Sequence, residues 1–259
     1  MENRALVFII VFILFFILER VFPRYKEPLS GVDSRFRKAT NLTLIALGNI
    51  LVRIVLPMGG VGFAIFCHEN SYGILNILTI SDNVNMIFSV ITLDFIIYWQ
   101  HRLFHIVPFL WRIHRVHHVD IFLDTTSGLR FHPFEILLSM FIKFFFIFIL
   151  GANPIGVLIF EVILNGMAIF NHSNLAIKSG FDRALQLLVV TPNFHVIHHS
   201  KKSQLHNTNY GFNLSIWDKL FDSFTSSEKY LQSDFEVGLD SHSKKESFNL
   251  IKILMLPFK

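Results

Sequence analysis

The chain has 259 residues and a formal net charge of +4, with 52% hydrophobic, 15% aromatic and only 16% charged residues, where a soluble domain of this size carries nearer a quarter charged. The absence of a basic stripe excludes nucleic acid as a partner, and a single cysteine, Cys67, excludes a disulfide framework or thiolate cluster. Thirty phenylalanines against five tyrosines suit a surface facing lipid, where a hydroxyl lacks a partner.

A bilayer span needs about 20 mostly apolar residues, and five runs approach that length. The first, 5–18, reaches further if Glu19 and Arg20 snorkel, and no basic leader or small-residue cleavage site marks it as a signal peptide. The second, 42–66, is interrupted by Arg53, Pro57, Gly59, Gly60 and Gly62, so it is predicted to kink or break. Residues 85–98 form the third. Residues 134–150 and 154–170 form a hairpin turning at 151–153. Arginine and lysine crowd the connection between the first two runs, the segment 101–132 and the segment 172–259, whereas 67–83 and 151–153 carry none. Basic loops stay in the cytoplasm, which sets the basic segments there and the amino terminus outside. Arg53 and Lys143 sit inside spans and call for snorkelling or a protein-facing partner.

Thirteen histidines are present, and their placement carries the chemistry. His101 and His105 read HRLFH; His114, His117 and His118 read HRVHH; His195, His198 and His199 read HVIHH. On a helix, positions i, i+3 and i+4 share a face, so each box is expected to aim two or three imidazoles at one point. The first box follows directly on the third run, with Asp94 and Tyr98 continuing its stripe. The second follows a break at Pro108, and the third follows Thr191-Pro192-Asn193, a helix-start signal. Eight imidazoles exceed the roughly four to six ligands of one metal and suit two, although imidazole accepts Zn, Cu, Fe and Ni alike. A membrane zinc hydrolase would use the same ligands with a bound water, but the HExxH zinc motif is missing. A soluble di-iron bundle would use Glu and Glu-x-x-His pairs, and a metal transporter would set its ionisable groups at mid-membrane rather than at span ends.

The three boxes resemble those of the fatty acid hydroxylase and sterol desaturase superfamily of membrane di-iron enzymes. The resemblance covers residues 85–225 and includes Asp94 with Tyr98, Leu110-Trp111, Arg130 with His132-Pro133 and Glu135, Asn171-His172 with Asn174, Asn209-Tyr210-Gly211 and Trp217-Asp218. The third box with NYG and WD downstream is most similar to bacterial and alkylglycerol-monooxygenase-like members. At His206-Asn207-Thr208-Asn209 the chain departs from the acidic residue many members carry. With the five runs, the resemblance implies an all-α, multi-pass membrane helical bundle of about five spans with a cytoplasmic histidine-rich helical cap. Residues 1–84 would be N-terminal membrane helices, 85–225 the di-iron domain, and 226–259 a tail that is polar and flexible to Ser247 and apolar, on the membrane, at 248–258.

By this resemblance the eight box histidines bind two iron ions, and His172, ending the returning hairpin helix, joins them as a ninth ligand. Asp94, His132, Glu135, Asn171, Asn174, His206, Tyr210 and Asp218 would orient the ligand rings, while His68 and His242 are expected in solvent. The implied reaction is O₂-dependent hydroxylation or desaturation of a membrane lipid such as a sterol, fatty acyl chain or ether lipid, in a bacterial inner membrane or endoplasmic reticulum. Without a GxGxxG fingerprint or haem-attachment motif, electrons are expected from a separate ferredoxin, a cytochrome b5-like protein or a pterin, with Lys201 and Lys202 near the site.

Overall fold

A computed structural model describes residues 2–27, 29, 31–78, 80–230, 235–239 and 248–259. Most of them are helical, and among the described residues no strand forms beyond isolated bridges such as Pro23 with Leu175. The chain opens with α1 (Glu2–Val21) and α2 (Gly31–Val55), the latter starting well ahead of the apolar run because Asp33 sits favourably in its first turn. The predicted break follows. Pro57 cannot continue the helical ladder, and Gly59, at φ 65°, starts α3 (Gly59–Glu69). A short α4 (Ile74–Ile77) leads to α5 (Asp82–Ile106), which Ser81 caps by accepting from the Val84 amide and which stops where Val107 turns extended before Pro108.

Pro108 then opens α6 (Pro108–His118). After a 3₁₀ turn at Ser127–Leu129 come α7 (Pro133–Leu150) and α8 (Pro154–His172). The connection between them is as short as predicted: Gly151 takes φ 66° and the Asn153 side chain accepts from the Ile155 and Gly156 amides. The remainder is short helices: α9 (Ser179–Leu185), α10 (Pro192–His198), α11 (Ser203–His206), α12 (Ile216–Leu220) and α13 (Leu250–Leu254).

The bundle is built on α8, against which α1, α3 and α5 all pack, while α3 also packs on α7. Leu93, Ile96 and Ile97 of α5, Ala64 and Cys67 of α3, Ile147 of α7 and Val157 and Phe160 of α8 form its core. Outward-facing Ile10, Ile54, Phe141, Phe145 and Ile155 are exposed, a distribution that suits lipid contact. Three helical segments, within Asp33–Ile77, Pro133–Leu150 and Pro154–His172, are long and apolar enough to cross a membrane. The other two predicted spans fall in α1 and α5, which are as long but carry Arg4, Glu19 and Arg20, and Asp82, Asp94 and Arg102.

Much of the polar stretch 226–247 lies outside the described residues, as does His242. The apolar end 248–258 was expected on the membrane surface. Within it Ile253 and Leu256 are buried on Leu44, Val116 and Val119, beside the second histidine box, while Ile251, Met255 and Phe258 are exposed.

A buried charge network ties the loop after α6 to the first two helices. Arg37 of α2 donates to Asp120 at 2.9 Å, to the Phe122 carbonyl at 2.9 Å and to Asp124. Asn41 donates to Asp120 and Thr126 and accepts from Arg130, which also grips the Val116 carbonyl. Glu19 of α1 accepts from the Thr125 amide and hydroxyl and from the Asn174 amide. Removing one partner of such a network leaves its partners' charges buried and unpaired. Arg37→Met is therefore expected to lower stability by roughly 3–5 kcal/mol, whereas removing the exposed Arg183–Glu228 pair changes it by less than about 1 kcal/mol. Thermal melts of detergent-purified protein check both, and equal melts for the two variants would contradict the role given to Arg37.

Candidate metal centre

Nine imidazoles gather at one end of α5 and α8. Their nitrogens form two groups, His101, His105, His114, His118 and His198 in one, and His117, His172, His195 and His199 in the other, with the candidate ligand atoms of each within 4.8 Å of one another. Each box thus aims two imidazoles at one group, as expected, but in the three-histidine boxes the third ring goes to the other group. In HRVHH, His114 and His118 go to the first group and His117 to the second; in HVIHH, His195 and His199 go to the second and His198 to the first. Helix geometry gives the reason. Residues i and i+4 are about 40° apart around the axis, whereas i+3 and i+4 are about 100° apart. The i, i+4 pair shares a site and the third ring crosses to its neighbour.

The rings are held by what their outer nitrogens meet. His101 Nδ1–H donates to the Tyr210 carbonyl at 2.7 Å, His117 to the Arg130 carbonyl at 3.0 Å, His172 to the Ala168 carbonyl at 2.7 Å and His198 to the Thr208 carbonyl at 2.8 Å. His105 donates to the Asn207 side-chain oxygen at 3.2 Å, and His114 Nδ1 lies 2.6 Å from Glu135 Oε1. The carbonyl and amide oxygens have no proton to give, so in His101, His105, His117, His172 and His198 Nδ1 carries the hydrogen and Nε2 presents a lone pair.

The Nε2 atoms then meet each other. They lie 3.1 Å apart in His101 and His114 and 3.0 Å apart in His117 and His172, and in the latter pair no proton lies between them because both Nδ1 atoms hold theirs. His195 Nε2 lies 3.1 Å from His172 Nε2 and 3.2 Å from His199 Nε2. His105 Nε2, His198 Nε2 and both nitrogens of His118 are buried without a hydrogen-bond partner among the described residues. Facing lone pairs are repulsive unless a cation lies between them, and cis ligands on a metal with roughly 2.1 Å bonds sit about 3 Å apart. The residues therefore fit two transition-metal ions. Outside the spans, burial holds His117, His118, His195, His198 and His199 well below 6.5 and brings His114 down to about 3. The rings are thus neutral and ready to bind metal near neutral pH.

The predicted supporting residues are placed variously. Glu135 bonds a ring directly. Tyr210 does so through its main chain, and its hydroxyl, pushed up to about 12 by burial, stays protonated and donates to the Asn207 carbonyl, whose residue holds His105. Asp218 accepts from the Tyr210 and Gly211 amides and the Ser223 hydroxyl, fixing the loop that meets His101. Asp94 meets no ring; it accepts from the Trp217 indole at 2.7 Å and the Leu214 amide. Asn171 donates to the Phe212 carbonyl, and Asn174 pairs with the main chain of Tyr25. His132 caps α7 and donates to the Leu254 carbonyl. His206 stacks on Trp111 with centroids 5.4 Å apart, and its Nδ1 meets the Ser200 carbonyl. His68 is exposed, as expected.

Thr208 and Ala168 escaped the sequence reading because they act through carbonyls, which every residue type supplies. Asn207 had only its place between His206 and Tyr210 to mark it. A glycine also matters here. A Cβ on Gly128 would stand 2.3 Å from the Ala168 oxygen and 3.3 Å from His172 Nδ1, so the 3₁₀ turn reaches α8 only because residue 128 has no side chain. A cavity of about 610 Å³ opens on His101 and His114 and runs between α7 and α8, past Phe104, Leu129, Met140 and Leu164.

The sequence itself matches known proteins. The sequence profile of the fatty acid hydroxylase family matches residues 86–223, more than half of the chain. The chain belongs to that family. It is similar to the ornithine lipid hydroxylase OlsE of Rhizobium tropici, at 31% identity over 59% of this chain and 45% of that protein. It is also similar to alkylglycerol monooxygenases, at 27% identity for that of Caenorhabditis elegans, over 76% of this chain and 38% of that one. The Homo sapiens enzyme is 30% identical over 51% of this chain and 28% of its own length. The chain thus spans less than half the length of these relatives. No solved structure matches it.

Two measurements check the site. Below about pH 6.5 the unfolded chain gains protons that the buried rings refuse, so the metal-free protein is stable above that pH and loses stability as pH falls towards the folded values. Its melting temperature is expected to be level from about pH 8 to 6.5 and to drop by several degrees per unit below; a level profile to about pH 5 would contradict the neutral, buried rings. Glu135→Gln replaces the carboxylate on His114, and is expected to weaken metal retention against a chelator by about 10–100-fold, with unchanged retention counting against Glu135 as an orienting group.

Proposed function

We propose that the chain oxidises a membrane lipid with O₂, using two iron ions held by His101, His105, His114, His118 and His198 on one side and His117, His172, His195 and His199 on the other. The convergence of Nε2 lone pairs into two groups carries this reading, and the names of the relatives support hydroxylation over desaturation. When bound, such a pair of metals supplies O₂ activation and attack on an unactivated C–H bond. The residues of this chain do the rest. Glu135, Asn207 and the carbonyls of Tyr210, Arg130, Ala168 and Thr208 hold the rings so that little reorganisation is left to the reaction. Phe104 and Phe212 beside His101 and His114 keep the approach dry.

Five spans with the histidine end in the cytoplasm fit the distribution of lysine and arginine. Electrons come from a separate donor, in keeping with the lack of a nucleotide or haem motif. A sterol, a fatty acyl chain and an ether lipid all fit an apolar cavity of this volume.

Metal analysis and Mössbauer spectroscopy of isotopically enriched, detergent-purified protein test the proposal. About two irons per chain are expected, falling to about one in His118→Ala and in His199→Ala, since each variant damages one group. In lipid extracts from cells expressing the wild type with a reductant system, a product heavier by one oxygen is expected and is absent with the double variant. Zinc alone after full iron supplementation would overturn the oxidase reading in favour of a membrane zinc hydrolase.

A further inference from the structure

Besides Glu135 near its histidine end, the cavity that opens on His101 and His114 is lined by three charged residues, Arg4 of α1, Lys143 of α7 and Glu161 of α8. Lys143 lies eight positions beyond Glu135 on α7, or about 12 Å along the helix axis. The charges therefore sit at the end of the cavity away from the histidines. Lys143 Nζ donates to Glu161 Oε1 at 3.0 Å, and Arg4 donates to Glu161 Oε2. Both carboxylate oxygens are thus occupied by the cations.

The cations keep N–H groups to spare, although Lys143 Nζ also lies 5.9 Å from the centroid of the Phe160 ring. An ammonium has three N–H groups and a guanidinium five, and each makes only this one hydrogen bond among the described residues. The Lys143 and Glu161 side chains are only 9% and 7% exposed, and Arg4 is 34% exposed. Two cations against one carboxylate leave a formal charge of +1 facing an apolar space, which is costly without a counterion. The cluster offers the cavity N–H donors and positive charge, with Glu161 already taken. The room for it is built in: a Cβ on Gly60 would stand 2.4 Å from Glu161 Oε1, so α3 approaches the carboxylate only as glycine.

We propose that Arg4 and Lys143 bind the anionic head of a single-chain amphiphile, a carboxylate or phosphate, whose chain runs down the cavity to the histidines. This rests on the reading of the cavity as the substrate site. The spacing then selects the position attacked, because about 12 Å of helix axis corresponds to roughly nine or ten bonds of extended chain between head and reacting carbon. Lys143, Arg4 and Glu161 are in this view specificity-determining residues.

The test is binding to metal-stripped, full-length protein in a neutral maltoside detergent, read by native mass spectrometry, so that its outcome is independent of whether iron is the metal. The probes are dodecanoate, dodecyl phosphate, dodecanol and dodecyltrimethylammonium. At least one anion is expected to bind about tenfold or more tighter than dodecanol, and comparison of the two anions tells which head fits. Lys143→Met and Arg4→Gln should each shrink that preference to about twofold while leaving dodecanol binding intact, which also shows that the cavity is folded. Glu161→Gln removes the competing carboxylate and should strengthen anion binding, a sign that a purely structural ion cluster does not produce. Equal binding of dodecanol and both anions, tightest binding of the cationic probe, or weaker anion binding in Glu161→Gln with dodecanol unaffected would overturn the proposal. If Lys143→Met does not fold, the partly exposed Arg4→Gln and Glu161→Gln still decide it.

Discussion

A buried imidazole is neutral, and a neutral imidazole has one N–H to place and one lone pair to fill. Nine such rings share the interior at one end of this bundle, and the way their N–H groups are placed orders much of the surrounding structure. In five of them Nδ1–H points outward to a carbonyl or an amide oxygen, which turns Nε2 inward, and in His114 Nδ1 meets Glu135. The acceptors must then be rigid themselves. Tyr210 is held by Asp218, and Arg130 by its own side chain on Val116 and Asn41. Ala168 belongs to the last turns of α8.

The membrane helices deliver these parts to one place. Neither α6 nor α10 is long enough to be stable alone, and each is fixed from outside. The Arg37–Asp120–Asp124 cluster and Glu19 clamp the loop after α6 to α1 and α2, while α10 packs on α8. The C-terminal segment closes over α6 through Ile253 and Leu256. The charged residues within the spans follow the same economy. Arg53 faces outward and is exposed, whereas Lys143 turns inward to Glu161, whose other carboxylate oxygen takes Arg4 of α1.

The helices, the break near Pro57, the turn at 151–153 and the helix start at Thr191 were legible because each rests on local chemistry: apolar run length, missing amide hydrogens and capping side chains. The histidine boxes were legible for a similar reason, since i and i+4 share a face whatever the rest of the chain does. Two things were not. The division of each three-histidine box between two groups depends on which neighbouring helix stands on which side, and His172 gains its partners from α6 and α10, distant in sequence. Likewise the resemblance makes Asp94 and Asn174 ring partners, yet packing gives them to Trp217 and Tyr25.

The sequence by itself therefore determined the chemistry available to this protein: apolar helices, a cluster of nitrogen ligands at their ends, and a shortage of thiolates and carboxylates that narrows the metals. Only the tertiary structure decided how those ligands divide, which carbonyls hold them, and that Arg4, Lys143 and Glu161 meet across three helices to line the cavity. Ligand type and helix phase are properties of a few neighbouring residues, whereas the partner of a buried polar group is set by whatever element packs against it.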